Sequence, residues 1–181
     1  GVQLYYGYTH FELGVYAEGI GGLVGWPFLL IAVLALFFQV ATNQKYVGFL
    51  LVLLYFLSQP VLGALDFNHN LYLYGGSPGA PYSDLNGFGH FWTGALWFRI
   101  YWSFFALLLL VTVHLFWVRG KDTALRTRFA LARLRFTRPV RAVAGIALVG
   151  FLGSGGWIFY NTNVLNRYVD SKSQSRLAAE Y

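Results

Sequence analysis

The chain has 181 residues, of which 57% are hydrophobic and only 11% charged, with a mean hydropathy of +0.52 and a formal net charge of +6. That balance excludes an ordinary water-soluble domain, which would have too little polar chain to cover such a core, and makes a bilayer the expected solvent. With no cysteine present, disulfides, thiolate metal sites and cysteine nucleophiles are excluded together.

Four stretches carry no Asp, Glu, Lys or Arg: Gly19 to Gln44, Tyr46 to Leu65, Ile100 to Val118 and Ala142 to Asn166. Each is long enough to cross ~30 Å of hydrocarbon as a helix. The expected fold is therefore all-α, a polytopic membrane protein with four transmembrane helices. In chain order it comprises a non-cytoplasmic segment (1–19), a first span (20–41), a second span (47–65), an outer loop (66–98), a third span (100–118), a basic loop (119–139), a fourth span (140–160) and an outer tail or linker (161–181). Glu12 and Glu18, not a basic region, precede the first span, so it does not read as a signal peptide. The chain starts at Gly1 and contains no Met, and we expect it to be a piece of a longer protein.

Pro27 sits near the start of the first span, where its missing N–H costs least. A short turn, TNQK, leads to the second span, in which Ser58, Gln59 and Pro60 predict a kink. Trp26, Trp97, Trp102, Trp117, Trp157 and Tyr160 fall at the expected span ends, where an interfacial aromatic belt would put them.

Orientation follows from the loops. The connection from Arg119 to Arg141 holds eight basic residues, Arg119, Lys121, Arg126, Arg128, Arg133, Arg135, Arg138 and Arg141, against one acid, Asp122. The connection from Asp66 to Phe98 holds two acids and no Lys or Arg. Short loops rich in Lys and Arg stay cytoplasmic, and Lys45 in the first turn agrees. Both ends of the chain are thus expected outside the cytoplasm. Within the basic loop, Asp122 or Thr123 is positioned to cap a helix whose apolar residues Leu125, Phe129, Ala132 and Phe136 recur at helical spacing. Such a segment rests on anionic headgroups. A short arginine-rich link between two spans is an orientation device, so no nucleic-acid partner is expected.

The outer loop is long for a link between helices and is broken at its middle by Gly75, Gly76, Pro78, Gly79 and Pro81. Its aromatic density predicts segments lying along the interface or packed under another domain. Asp66, His69, Asp84 and His90 are weak candidate metal ligands, because their spacing matches no recognised motif. Arg99, just before the third span, is expected to snorkel to the outer headgroups or to pair with Asp84 or Asp66. Haem between two histidines is disfavoured: only His114 lies inside a span, and His10, His69 and His90 are placed outside. Gly21 with Gly25, and GFLGSGG at Gly150 to Gly156, predict close helix packing. No ATP-binding P-loop and no His-Glu-x-x-His occurs, so no catalytic residue is assigned.

APYSDLNGFGHF (Ala80 to Phe91), LWFRIYW (Leu96 to Trp102), ARLRFTRP (Ala132 to Pro139) and GGWIFYNTNVLNRY (Gly155 to Tyr168) resemble the membrane half of a bacterial fusion family. In that family a permease-like, ABC-2-type multi-span region precedes a zinc metallopeptidase domain of the aminopeptidase N class. The resemblance covers most of the chain. It implies a peptidase beginning soon after Tyr181, on the periplasmic side of the inner membrane, with its zinc and catalytic residues outside this chain. Expected partners are the lipid bilayer, further transmembrane helices and the peptidase of the same protein, and a second copy of the chain. The alternative function is a transporter or channel component without a peptidase, in which the proline-interrupted second span lines a path.

Overall fold

The computed structural model describes residues 17–65, 67, 69–79, 89–118 and 124–165, together with Gly7 and Gly14. Among them the chain is all-helical. A π-helical segment, Ala17–Gly25, leads into α1 (Trp26–Thr42), followed by α2 (Lys45–Ala64), α3 (Gly89–Phe116), α4 (Leu125–Arg135) and α5 (Arg138–Tyr160), which continues as a π-helix over Asn161–Leu165. Four of these helical runs, Ala17–Thr42, Lys45–Ala64, Phe91–Phe116 and Arg138–Leu165, are long and apolar enough to cross a membrane. Lipid offers the backbone no hydrogen-bond partner, so helices that satisfy their own N–H and C=O groups are the stable form for such segments.

Punctuation along the chain is local chemistry. Pro27 lies in the first turn of α1, and Asn43 ends that helix in the left-handed region (φ 52°), its N–H donating to Gln39 O at 2.9 Å. α2 then starts at Lys45 and runs without interruption through Pro60, so the second span is a continuous helix, not a broken one. Pro139 sits in the first turn of α5, two residues of linker after α4. α3 begins at Gly89, so residues 89–98, assigned from sequence to the outer loop, belong to its first turns.

The spans are arranged as a row. α2 packs on α1, α1 on α3, and α3 on α5, while α4 lies against the end of α3. No ring closes among the described residues, and the helices of the row carry exposed large apolar side chains, including Phe28, Phe49, Leu57, Ile146 and Val149. The core sits between α1 and α3, where Leu30, Trp102 and Ala106 are buried against Val33, Tyr101 and Phe105. Trp102 is therefore no member of an interfacial belt: it is 5% exposed, whereas Trp26, Trp97, Trp117, Trp157 and Tyr160 are all well exposed.

Small residues let α5 approach α3 as expected, since a Cβ on Gly150 would lie 2.5 Å from Phe104 Cε1 and one on Gly155 would lie 2.9 Å from Tyr101 Cε2. Tyr101 then stacks on Phe151 with centroids 4.5 Å apart. Near the start of α1 the contact falls on a different glycine from the pair expected. Gly21 meets nothing, Gly25 meets only Ile20 O of its own segment, and Gly22 is the residue whose missing Cβ admits the Trp92 ring.

Candidate functional site

The two ends of the helix row differ chemically. At one end, which we call the arginine end, α1 and α3 terminate with their last carbonyls lacking helical partners. α4 lies across them. Arg128 is 5% exposed, and its Nη1 donates to Ala41 O at 3.0 Å while Nη2 donates to Val40 O and, at 3.4 Å, to Phe116 O. Arg135 Nη1 donates to Trp117 O and, at 3.4 Å, to His114 O and Leu115 O. The two guanidinium groups thus cap the C-termini of two spans, where the helix dipoles are negative. Charge-assisted bonds of this kind are about twice as strong as neutral ones.

The arginines set which side of the basic helix turns to the row. Leu125, Phe129 and Phe136 are exposed, and the side turned to the row carries Arg128, Ala132 and Arg135. The orphan carbonyls supply the physical reason, because they reward a buried guanidinium more than lipid-like surface rewards a buried Leu or Phe. Arg128 and Arg135 sit seven positions apart, two turns along one helix face, and that spacing was the available signal. Arg126, Arg133, Arg138 and Arg141 are exposed, while Arg119, Lys121, Asp122 and Thr123 lie outside the described residues. Ala124, not either of the latter two, occupies the N-cap position of α4. A cavity of about 250 Å³ between Phe37, Thr112, Val113, Phe116 and Phe129 opens beside the Arg128 clamp.

At the opposite, aromatic end, residues 69–79 fold back on the helices. Tyr74 OH donates to Leu30 O at 2.8 Å, Tyr55 OH to Tyr74 O at 2.5 Å, and Trp102 Nε1 to Asn70 O at 3.2 Å. The Tyr74 ring meets Trp102 and Phe105 edge-on, at 5.2 and 5.7 Å. This stretch of the outer loop is thus a plug between α1, α2 and α3 of its own chain. Burial, and then the neighbouring Tyr55 hydroxyl, push the Tyr74 phenol far above its usual range.

Of the four candidate metal ligands, only His69 has a described side chain. His69 Nδ1 accepts the Leu71 N–H at 3.1 Å, and its ring lies 5.7 Å from Tyr72 and 6.4 Å from Phe98, so burial holds its pKa below the ordinary value. His90 stands in the first turn of α3, and its side chain, like Asp66 and Asp84, lies outside the described residues. Among the described residues no three metal-ligating side chains come together. His114 is exposed on α3, beside an open groove lined by Leu110, Pro139 and Val143.

Arg99 was expected just before the third span. It lies inside α3 and is 3% exposed. It reaches back toward the start of its helix, as a snorkelling side chain does, but stops with its guanidinium carbon 4.8 Å from the centre of the Trp92 ring. No ion pair with Asp84 or Asp66 is among the described contacts, since both acids lie outside the described residues. No family model, curated protein or solved structure matches the chain.

Proposed function

We propose that this chain is the membrane-anchoring and orienting part of a longer inner-membrane protein, holding a periplasmic zinc aminopeptidase domain against the side of the bilayer opposite its arginine loop. The observation that supports it most directly is the chemical asymmetry of the row: guanidinium groups capping helices at one end and an aromatic, Lys/Arg-free connection at the other. The peptidase itself rests on the resemblance of the four quoted strings. Its physical advantage is local concentration, since an active site tethered at the membrane surface meets peptides released there more often.

The chain has no cysteine, so single cysteines can be introduced without background. With a membrane-impermeant maleimide on intact spheroplasts, Ser171→Cys should label at once and Ala130→Cys, on the exposed side of α4, only after permeabilisation. The reverse pattern rejects the orientation. Hydrolysis of an aminoacyl p-nitroanilide by the full-length protein, lost on zinc chelation, tests the attached activity separately.

A further inference from the structure

Arg99 poses an unsolved electrostatic problem. Its Nε and Nη1 are buried and have no hydrogen-bond acceptor among the described residues. Glu18 is the one carboxylate among those residues; it is exposed and makes no ion pair with Arg99. A buried guanidinium without a counter-charge is strongly disfavoured in a protein interior, and a bilayer gives it no relief. The π-face of Trp92 offsets only part of that cost.

The surroundings of Arg99 are specialised to hold that ring in place. Trp92 lies one heptad before Arg99 on the same face of α3, and its far edge abuts the backbone of Gly22, where no side chain larger than hydrogen fits. Gly22 lies within the π-helical segment, a rare geometry that in other proteins frequently marks functional sites. Below Arg99, its carbonyl accepts the Ser103 hydroxyl at 2.7 Å, and that hydroxyl in turn accepts the Trp26 indole N–H at 3.0 Å, tying α1 to α3. The guanidinium is thus covered by an aromatic ring, and the backbone of its residue belongs to a hydrogen-bonded link between two spans. A planar fork of N–H donors, desolvated and roofed by indole, is matched to a planar or tetrahedral oxyanion.

We propose that Arg99, covered by Trp92, is a binding site for the oxyanion group of an amphiphile, a carboxylate or a phosphate whose apolar tail remains among the spans. The inference rests on the membrane location of α3 and not on the attached peptidase. It stands or falls separately from the orientation tested above.

The test is thermal unfolding in dodecyl maltoside micelles, which carry no charge, with wild type, Arg99→Met and Arg99→Lys compared. Without an added anion, Arg99→Met should unfold at the higher temperature, because it removes an uncompensated buried charge. Phosphatidylglycerol, dodecanoate and inorganic phosphate are then added in turn. At least one should raise the wild-type midpoint by several degrees, leave Arg99→Met unmoved and act weakly on Arg99→Lys, whose ammonium cannot fork. A shift with phosphatidylglycerol alone identifies a lipid headgroup and one with dodecanoate a diffusible amphiphile, whereas a shift with inorganic phosphate and neither amphiphile overturns the apolar tail. The proposal is overturned if no probe moves the wild type, or if the probes move Arg99→Met equally. It is also overturned if Asp66→Asn or Asp84→Asn destabilises the wild type but not Arg99→Met, for then the counter-charge belongs to the chain itself.

Discussion

Arg128 donates to the carbonyl of Ala41 at 3.0 Å across 87 residues of sequence, so the connection between the third and fourth spans caps the first. A residue whose type suggests only topology is therefore part of what holds α1 and α3 in register. Both roles have one cause. A guanidinium is excluded from hydrocarbon, and the end of a helix leaves carbonyls that need a donor at the same depth.

Arg128→Met should destabilise the protein by about 2–4 kcal/mol, since it leaves Ala41 O and Val40 O without donors while keeping side-chain bulk. Arg128→Lys should recover only part of this, and Arg126→Met, at an exposed position, should stay within about 0.5 kcal/mol of wild type. Denaturation in mixed micelles gives all three. Equal effects at 126 and 128 would show that the clamp contributes nothing.

The tyrosine plug gives a second prediction. Tyr74→Phe removes the donor to Leu30 O without opening a cavity and should cost about 1 kcal/mol, with hydrogen exchange in residues 69–79 accelerated. Tyr55→Phe should give a similar effect, and the double mutant should fall short of the sum because both hydroxyls hold the same loop.

Gly150→Ala forces a Cβ against Phe104 at 2.5 Å and should cost about 1–3 kcal/mol by overpacking the α3–α5 contact. Gly153→Ala, three residues on and facing open space, should be neutral or slightly stabilising, because alanine favours the helix. Melting temperatures of the pair separate packing from propensity.

His69 carries the pH dependence. Burial lowers its folded pKa, so the unfolded state binds the proton more readily. Its contribution should therefore be full above the ordinary histidine value of about 6.5 and should decline as pH falls from there toward the lowered folded value, flattening below it. His69→Gln should flatten the profile of thermal midpoint against pH in that window. A wild-type midpoint that rises on acidification through it would contradict the assignment.

Composition alone determined the fold class and the existence of four long apolar helices, because a run of some twenty uncharged residues has few stable forms other than a helix in lipid. The first turn was equally legible, since Asn tolerates the left-handed conformation that ends α1. The candidate ligand set and the attached domain were not settled by such local signals. What only the tertiary structure decided was pairing: that the spans stand in a row, that Trp102 turns inward from an apparent interfacial belt while Tyr74 of the outer loop reaches α1, that Gly22 rather than Gly21 or Gly25 receives a ring, and that Arg128 and Arg135 point at carbonyls while Arg126 and Arg133 stay exposed. Periodicity tells which residues share a helix face. It does not tell which orphaned acceptor or missing Cβ, tens of residues away, that face will meet.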